Sequence, residues 1–365
     1  MEEQKFVQDL SQLVSFETVS GQPNGFNEAI EFIKKQISPR GIVEVLPNNG
    51  APILLASNVK TKTPDICYLV HLDVVHGRPE QFTMRVDKGY AYGRGVSDMK
   101  FSIPVGYSIL NTLIDNSSKA SFMLAITTDE ERGGFKGAGF LADEYNLKPK
   151  LLIVPDGGDN FVLINKSKGV CQLKITKHGK PAHSSHPWEG ESAVNSIVKL
   201  ASNLLSLYET SNSKAGWHTT MNIGTLTAGK LLNQVASDAE LCIDFRFPPE
   251  HDSVESLTKK VADLAKAIDP TLEVTSIATG IAPFTDPTHP AIQIFLETLK
   301  NKIGREVAIE GGHGSNDARH FNKYNIPYIM IKPDGGDIHG DNEHISIKST
   351  IVLYETILEF IEKYI

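Results

Sequence analysis

Apolar and polar positions follow two different rhythms along this chain. Strand-like apolar runs fall at 42–46, 52–57, 66–70, 121–127 and 151–155. Helical spacing lies between and before them: Phe6, Leu10, Leu13 and Val14 share one face over 3–15, and Ile30, Phe32, Ile33 and Ile37 do so over 26–37, where Pro39 and Gly41 end the pattern. Further helices are expected at 99–114 and 136–145. Strands alternating with helices predict an α/β unit, a mostly parallel sheet flanked by helices. From about Lys166 the order changes to strand 169–177, helix 192–207, strands 219–226 and 239–247, helix 251–267 and strand 272–277. That β-α-β-β-α-β order predicts a ferredoxin-like α+β domain. After Gly280 the first rhythm returns, with a helix at 289–303, strands near 306–309 and 327–331, and a last helix near 348–364. The expected organisation is one α/β domain in two parts, 1–166 and 281–365, interrupted by an inserted domain at 167–280.

Composition narrows the setting. With 40% hydrophobic and 22% charged residues, the chain has the make-up of a globular protein. Its 36 Lys and Arg against 44 Asp and Glu give a net charge of −8, which argues against nucleic acid or an anionic membrane as partner. The acidic start Met1-Glu2-Glu3 lacks the features of a secretory signal, and no apolar run approaches the roughly 20 residues that cross a bilayer. Cys67, Cys171 and Cys242 sit in strand-like runs and read as small hydrophobes in a reducing compartment, so the expected location is cytoplasmic.

The chemistry lies where apolar runs end. His71 and Asp73 close the run at 66–70, Glu130 and Glu131 follow 122–126, Asp156 follows 151–154, and His339 comes after 328–331. Asp98 closes a glycine-rich turn that begins at Gly93. Taken singly these are ordinary residues: a turn histidine beside a carboxylate, a helix-capping Asp, an Asp-Gly turn. In an open α/β sheet, however, the carboxyl ends of the strands form the ligand crevice, where distant residues converge. Adjacent Glu130 and Glu131 must point apart, so one can bind a metal while the other reaches a metal-bound water. Asp98, Glu131 and Asp156 carry three negative charges, a costly cluster without cations. Two divalent ions more than balance them and leave one positive charge to hold a hydroxide. Ligation by His, Asp and Glu suits zinc, with cobalt or manganese as substitutes.

The ordered set His71, Asp73, Gly93, Asp98, Glu130, Glu131, Asp156, His339, Asn342 and Glu343 resembles the family of di-zinc metallohydrolases that includes aminoacylase, carboxypeptidase G, succinyl-diaminopimelate desuccinylase and acetylornithine deacetylase. The resemblance implies a zinc-exopeptidase-like catalytic domain with two Zn2+ per chain. Asp98 would bridge the ions, with His71 and Asp156 completing one site and Glu131 and His339 the other. Glu130 would be the general base, Asp73 would orient His71, and the Asp98–Met99 peptide would be cis.

The resemblance extends to the insert, which would serve as a dimerisation and lid domain, so a homodimer is expected. His183, in a segment similar to the family's Gly-x-x-x-His, would donate to the developing oxyanion. Arg246, on a strand similar to the family's Asp-x-Arg, would clamp a substrate carboxylate, with Asp244 as its neighbour and Asn233 lying just before that strand. The stretch 311–319 looks like the family's glycine-rich Ser/Thr-Asp-Ala-Arg loop, which lines the substrate pocket. Ser315, His313 and Arg319 are its candidate contacts, although Asn316 interrupts the pattern. The expected reaction is hydrolysis of an amide bond beside a free carboxylate. Asp156, an aspartate where the deacylase branch carries glutamate, favours a small peptide and a carboxypeptidase-type reaction. An N-acyl amino acid, cleaved by a desuccinylase- or acetylornithine-type deacylase, is the alternative. A relative that binds without turnover would have lost the base or a ligand, and all are present. A dinucleotide-binding dehydrogenase fails because the turn at Gly93 lacks the fingerprint's glycine spacing.

Overall fold

Successive residues of the strand Ile66–His71 enter opposite cores, and that alternation organises the α/β unit. Ile66, Tyr68 and Val70 join one cluster with Leu10, Ile30, Leu110, Phe295 and Phe360, side chains of the five helices Glu3–Ser15, Phe26–Gln36, Ser102–Asp115, Pro290–Ile303 and Ile347–Tyr364. Cys67 and Leu69 face the other way, onto Ala138, Leu141, Ala318 and Phe321. Both faces are thus dry, which is why this strand reads as an unbroken apolar run.

The computed structural model describes residues 1–22, 25–213 and 215–365. They form two compact units: Met1–Lys166 with Phe284–Gly312 and Asn316–Ile365, and Ser167–Pro283 with His313–Ser315. The sheet of the first unit has six strands in the order Ile42–Leu46, Ile53–Ser57, Phe122–Thr127, Ile66–His71, Leu151–Ile153 and Tyr328–Ile329. The first two strands run antiparallel to their neighbours and the last four are parallel, so the α/β, mostly parallel expectation holds with a two-strand antiparallel margin. From Ile66–His71 the chain moves to one neighbour, Phe122–Thr127, and then crosses to the other, Leu151–Ile153. The order reverses around the strand that carries His71, the place where α/β sheets hold ligands.

The second unit is a four-stranded antiparallel sheet in the order Thr220–Ala228, Asp238–Phe247, Gly169–His178 and Glu273–Gly280. Helices Ala193–Asn212 and Val254–Ile268 cover one face through Leu173, Ile175, Leu241, Ile243 and Phe245. This is the ferredoxin-like arrangement expected of the insert.

Several local expectations change. The helix expected at 251–267 begins later, at Val254, because the Ser253 side chain accepts the Ser256 N–H and caps it there. The helix expected at 136–145 forms in two joined pieces, a π-helical stretch Phe135–Gly139 and the α-helix Phe140–Asp143. Just ahead of it Gly134 takes φ 65°, and a Cβ on Gly137 would lie 2.7 Å from the Thr127 Cβ, so this stretch packs its backbone closely. A four-stranded satellite sheet was not foreseen: Arg85–Asp87, Tyr90–Tyr92, His344–Ser346 and Gly335–Gly336. Among the described residues no helix is long and apolar enough to cross a membrane.

Candidate metal centre

Three strand ends, one turn and one loop bring the acids and imidazoles of the first unit together. Two triads result, His71 with Glu130 and Asp156, and Asp98 with Glu131 and His339; in each, the candidate ligand atoms lie within 4.8 Å of one another. Asp98 joins them. Its Oδ1 is 3.0 Å from His71 Nε2 and its Oδ2 is 3.1 Å from His339 Nε2. Glu131 Oε1 lies 3.1 Å from the same His339 nitrogen, and Asp156 Oδ1 lies 3.9 Å from His71 Nε2. Glu130 and Glu131 diverge, one towards each triad.

The turn carrying Asp98 is shaped by glycine and by a buried acid. Gly95 has φ 80°, and a Cβ there would stand 2.6 Å from Val74 Cγ1. The peptide between Asp98 and Met99 is cis, as the resemblance implied. Glu343, almost wholly buried, accepts the main-chain N–H groups of Gly95, Ser97 and Asp98 at 3.0 Å each. Its role was not foreseen, because its partners lie some 245 or more positions away.

Asp73 differs in detail from expectation. His71 Nδ1 lies 2.9 Å from the Asp73 main-chain carbonyl but 3.5 Å from its carboxylate. The shorter contact is a bond in which Nδ1–H donates, and it directs Nε2 towards Asp98 and Asp156. The Asp73 carboxylate instead accepts the Glu130 and Glu131 N–H groups at 3.2 and 3.1 Å. It ties the strand end that bears His71 to the turn that bears both glutamates. Arg319 also departs from its expected place among the substrate contacts. It is buried and donates to the Gly133 carbonyl, and His320 Nε2 lies 3.0 Å from the same oxygen, so this segment braces the Glu130–Glu131 turn.

Electrostatics draw positive charge inward. Burial opposes a charge on His71, yet hydrogen bonds to Asp156, Asp73 and Asp98 hold its pKa well above the usual imidazole value. Hydrogen bonds to Asp98 and Glu131 raise His339 to about 10. Asp98, despite burial, is held far below the usual carboxylate range by His339 and His71. Glu130 moves the other way, pushed well up by burial and by Asp156. So dense a set of oxygen and nitrogen donors, competing for the available protons, fits a pair of N/O-ligated divalent cations.

His183, Asn233, Arg246 and Ser315 belong to the second unit. His183 is exposed, and its Nδ1 accepts the Ser185 N–H at 3.2 Å, which places the ring proton on Nε2. The Asn233 carbonyl accepts the Ser184 N–H at 3.0 Å, so the segments bearing His183 and Asn233 are neighbours. Arg246 directs Nε and Nη2 to Asp244 Oδ2, at 3.2 and 3.0 Å. Ser315 is partly buried.

The sequence profile of peptidase family M20/M25/M40 matches residues 67–363. The succinyl-diaminopimelate desuccinylase of Sulfurovum sp. (strain NBC37-1) is 24% identical over 373 residues, spanning 97% of this chain and 98% of that protein. Among solved structures, a tripeptidase from Staphylococcus aureus superposes with a TM-score of 0.79 at 23% identity, covering 100% of this chain and 98% of that one. An M20 family metallo-carboxypeptidase from Sulfolobus solfataricus superposes with a TM-score of 0.81 at 16% identity, covering 100% and 99%.

Proposed function

Because the chain belongs to peptidase family M20/M25/M40, and so is a hydrolase of amide bonds, we propose that it cleaves short peptides at the amide bond beside their free carboxylate, in a carboxypeptidase-type reaction. The observation that carries this reading is Asp98, whose two carboxylate oxygens each face a different histidine, 3.0 Å from His71 and 3.1 Å from His339. Two Zn2+ ions, held by His71, Asp98 and Asp156 on one side and by Asp98, Glu131 and His339 on the other, would polarise the scissile carbonyl and make water acidic at neutral pH.

The chain's own groups do the rest. Glu130 takes the proton of the attacking water and passes it to the leaving amine. Asp73 keeps Glu130 in position through the main chain. His183 donates its Nε2–H to the oxyanion, a role that its Ser185 contact supports by fixing the tautomer. Arg246 offers a planar fork to the substrate carboxylate, with Asn233 and Ser315 as further contacts. The protein acts as a homodimer through the inserted unit, whose outer strands Thr220–Ala228 and Glu273–Gly280 each have, among the described residues, one unpaired edge. Its three free cysteines fit the reducing cytoplasm.

Aspartate at Asp156 favours the peptidase over the deacylase. The second reading, removal of the acyl group from an N-acyl amino acid, is favoured by the near full-length match to a desuccinylase. Metal analysis followed by assay of the zinc- or cobalt-loaded protein decides the matter. Dipeptides and tripeptides are compared with N-acetyl- and N-succinyl-amino acids. Two ions per chain and turnover of peptides alone are expected. Turnover of the acyl amino acids alone supports the second reading, and a chain that binds no divalent ion overturns both.

A further inference from the structure

One buried ion pair links the Asp98 turn to the His339 loop. Arg94 Nη1 donates to Glu343 Oε2 at 2.8 Å, and neither side chain exposes more than 4% of its surface. Each partner then reaches a different metal-ligand segment. Glu343 gathers the N–H groups of Gly95, Ser97 and Asp98. Arg94 Nη2 donates to the carbonyls of His339, at 3.0 Å, and Gly340, at 3.3 Å.

His339 needs such support. It is a non-glycine residue with φ 64°, in the left-handed region that persists only where the surroundings enforce it. The loop holding it is braced at several points. Gln81 Nε2 donates to the Gly340 carbonyl at 3.1 Å, and the Gly340 N–H donates to the Asp337 carbonyl at 2.8 Å. A Cβ at position 340 would lie 2.1 Å from Asp337 Oδ1, so a larger residue there would have to displace the Asp337 side chain. By contrast, His71 is held by its own strand and by the Asp73 carbonyl, with no contact to Arg94 or Glu343 among the described hydrogen bonds.

We infer that Arg94 and Glu343 are positioning residues that act at different ligands of the metal centre: Arg94 holds the His339 loop and so governs the second ion, while Glu343 holds the turn of Asp98, which serves both ions. The inference rests on the two-ion reading above. Burial alone would make Arg94 structural, and removing it would then weaken both ions together. The split contacts predict that the two ions part company.

The test titrates Co2+ into the metal-stripped full chain, following heat and the visible cobalt spectrum, with thermal melts of the metal-free proteins beside it. Glu343→Gln, Arg94→Met and Arg94→Lys are compared with parent and with His339→Ala, which marks loss of the second ion. In Arg94→Met the first ion binds with parent affinity and an unchanged one-cobalt spectrum, while the second weakens by about tenfold or more; in Glu343→Gln both ions weaken, because Asp98 serves both. Arg94→Lys keeps the charge but cannot span both Glu343 and the two carbonyls, so it shows the same split in weaker form. It carries the test if the other variants do not fold. Two ions bound as in parent in every variant, or both lost together in Arg94→Met with a fall in melting temperature, overturn the inference. A parent chain that binds no pair of ions instead overturns the proposed function.

Discussion

The two units put two kinds of sheet to different uses, one mostly parallel and one antiparallel. In the first, the parallel strands are covered on both faces, so the sheet offers solvent its ends, and the polar residues of the centre sit just beyond them. In the second, helices cover one face, and the other is left to Gln172, Lys174, Thr176 and Asp244. A doubly covered sheet can gather buried acids at a strand edge because rigid, dry strands fix where each chain emerges. A sheet covered on one side offers a broad polar face and free edges, better suited to contact than to caging ions. On the proposed function the metal centre belongs to the first unit and the substrate contacts to the second, and that division can be broken from either side.

The largest expected effect tests the chemical side. Glu130→Ala should lower kcat by about 10^2- to 10^4-fold while metal content stays near two ions per chain. Near-normal turnover would remove Glu130 from its assigned role. The recognition side comes next. His183→Ala should cost about 10^2-fold or more in kcat with metal content unchanged, and loss of metal instead would show that His183 supports the centre and not the oxyanion. Packing separates the units further. Phe245→Ala removes a fully buried ring from the second core and should destabilise that unit by about 3–5 kcal/mol in denaturant unfolding. The first unit's ions should remain bound at temperatures where the variant's second unit has melted. A single shared transition would mean that the two units unfold as one.

A smaller effect follows pH. Asp269 is held far below the usual aspartate value by hydrogen bonds from Thr271 and Ser196, and it also pairs with buried Lys177 at 3.1 Å. A depressed carboxylate contributes stability that is complete above the unfolded value of about 3.9 and lost as pH falls below it. Melting of the second unit should therefore drop between about pH 4 and lower pH in the parent and more weakly in Asp269→Asn. The smallest effect belongs to the open face of the sheet, where Lys174→Ala should change stability by about 0.5 kcal/mol or less, since its pairing with Glu240 at 3.6 Å is solvent-exposed.

What the chain disclosed in advance follows the same division. Buried strands announced themselves as apolar runs, and the residues just past them, His71, Glu130, Glu131 and Asp156, followed from topology. The insert's alternation was equally plain along Gly169–His178, where Leu173 and Ile175 point inward and Lys174 and Thr176 outward. The satellite hairpin could have been read. Lys88 and Gly89 have φ 48° and 83°, a two-residue turn of the kind that Gly at its second position signals. Its strands of three residues each were too short to form a pattern. The partners of Glu343 and Arg319 were out of reach for another reason. Each acts through main-chain groups far away in the chain, Arg319 on a carbonyl 186 positions distant, and a main-chain carbonyl leaves no mark in sequence. For the same reason Asp73 was linked to His71 through its carboxylate, where the structure uses its carbonyl.

The long span between the first and last ligands bears on biogenesis. His71 and His339 stand 268 positions apart (339 − 71), so a growing polypeptide carries an incomplete set of candidate ligands until the ribosome has passed residue 339. Asp98 and Glu131 emerge early, and their triad waits for His339.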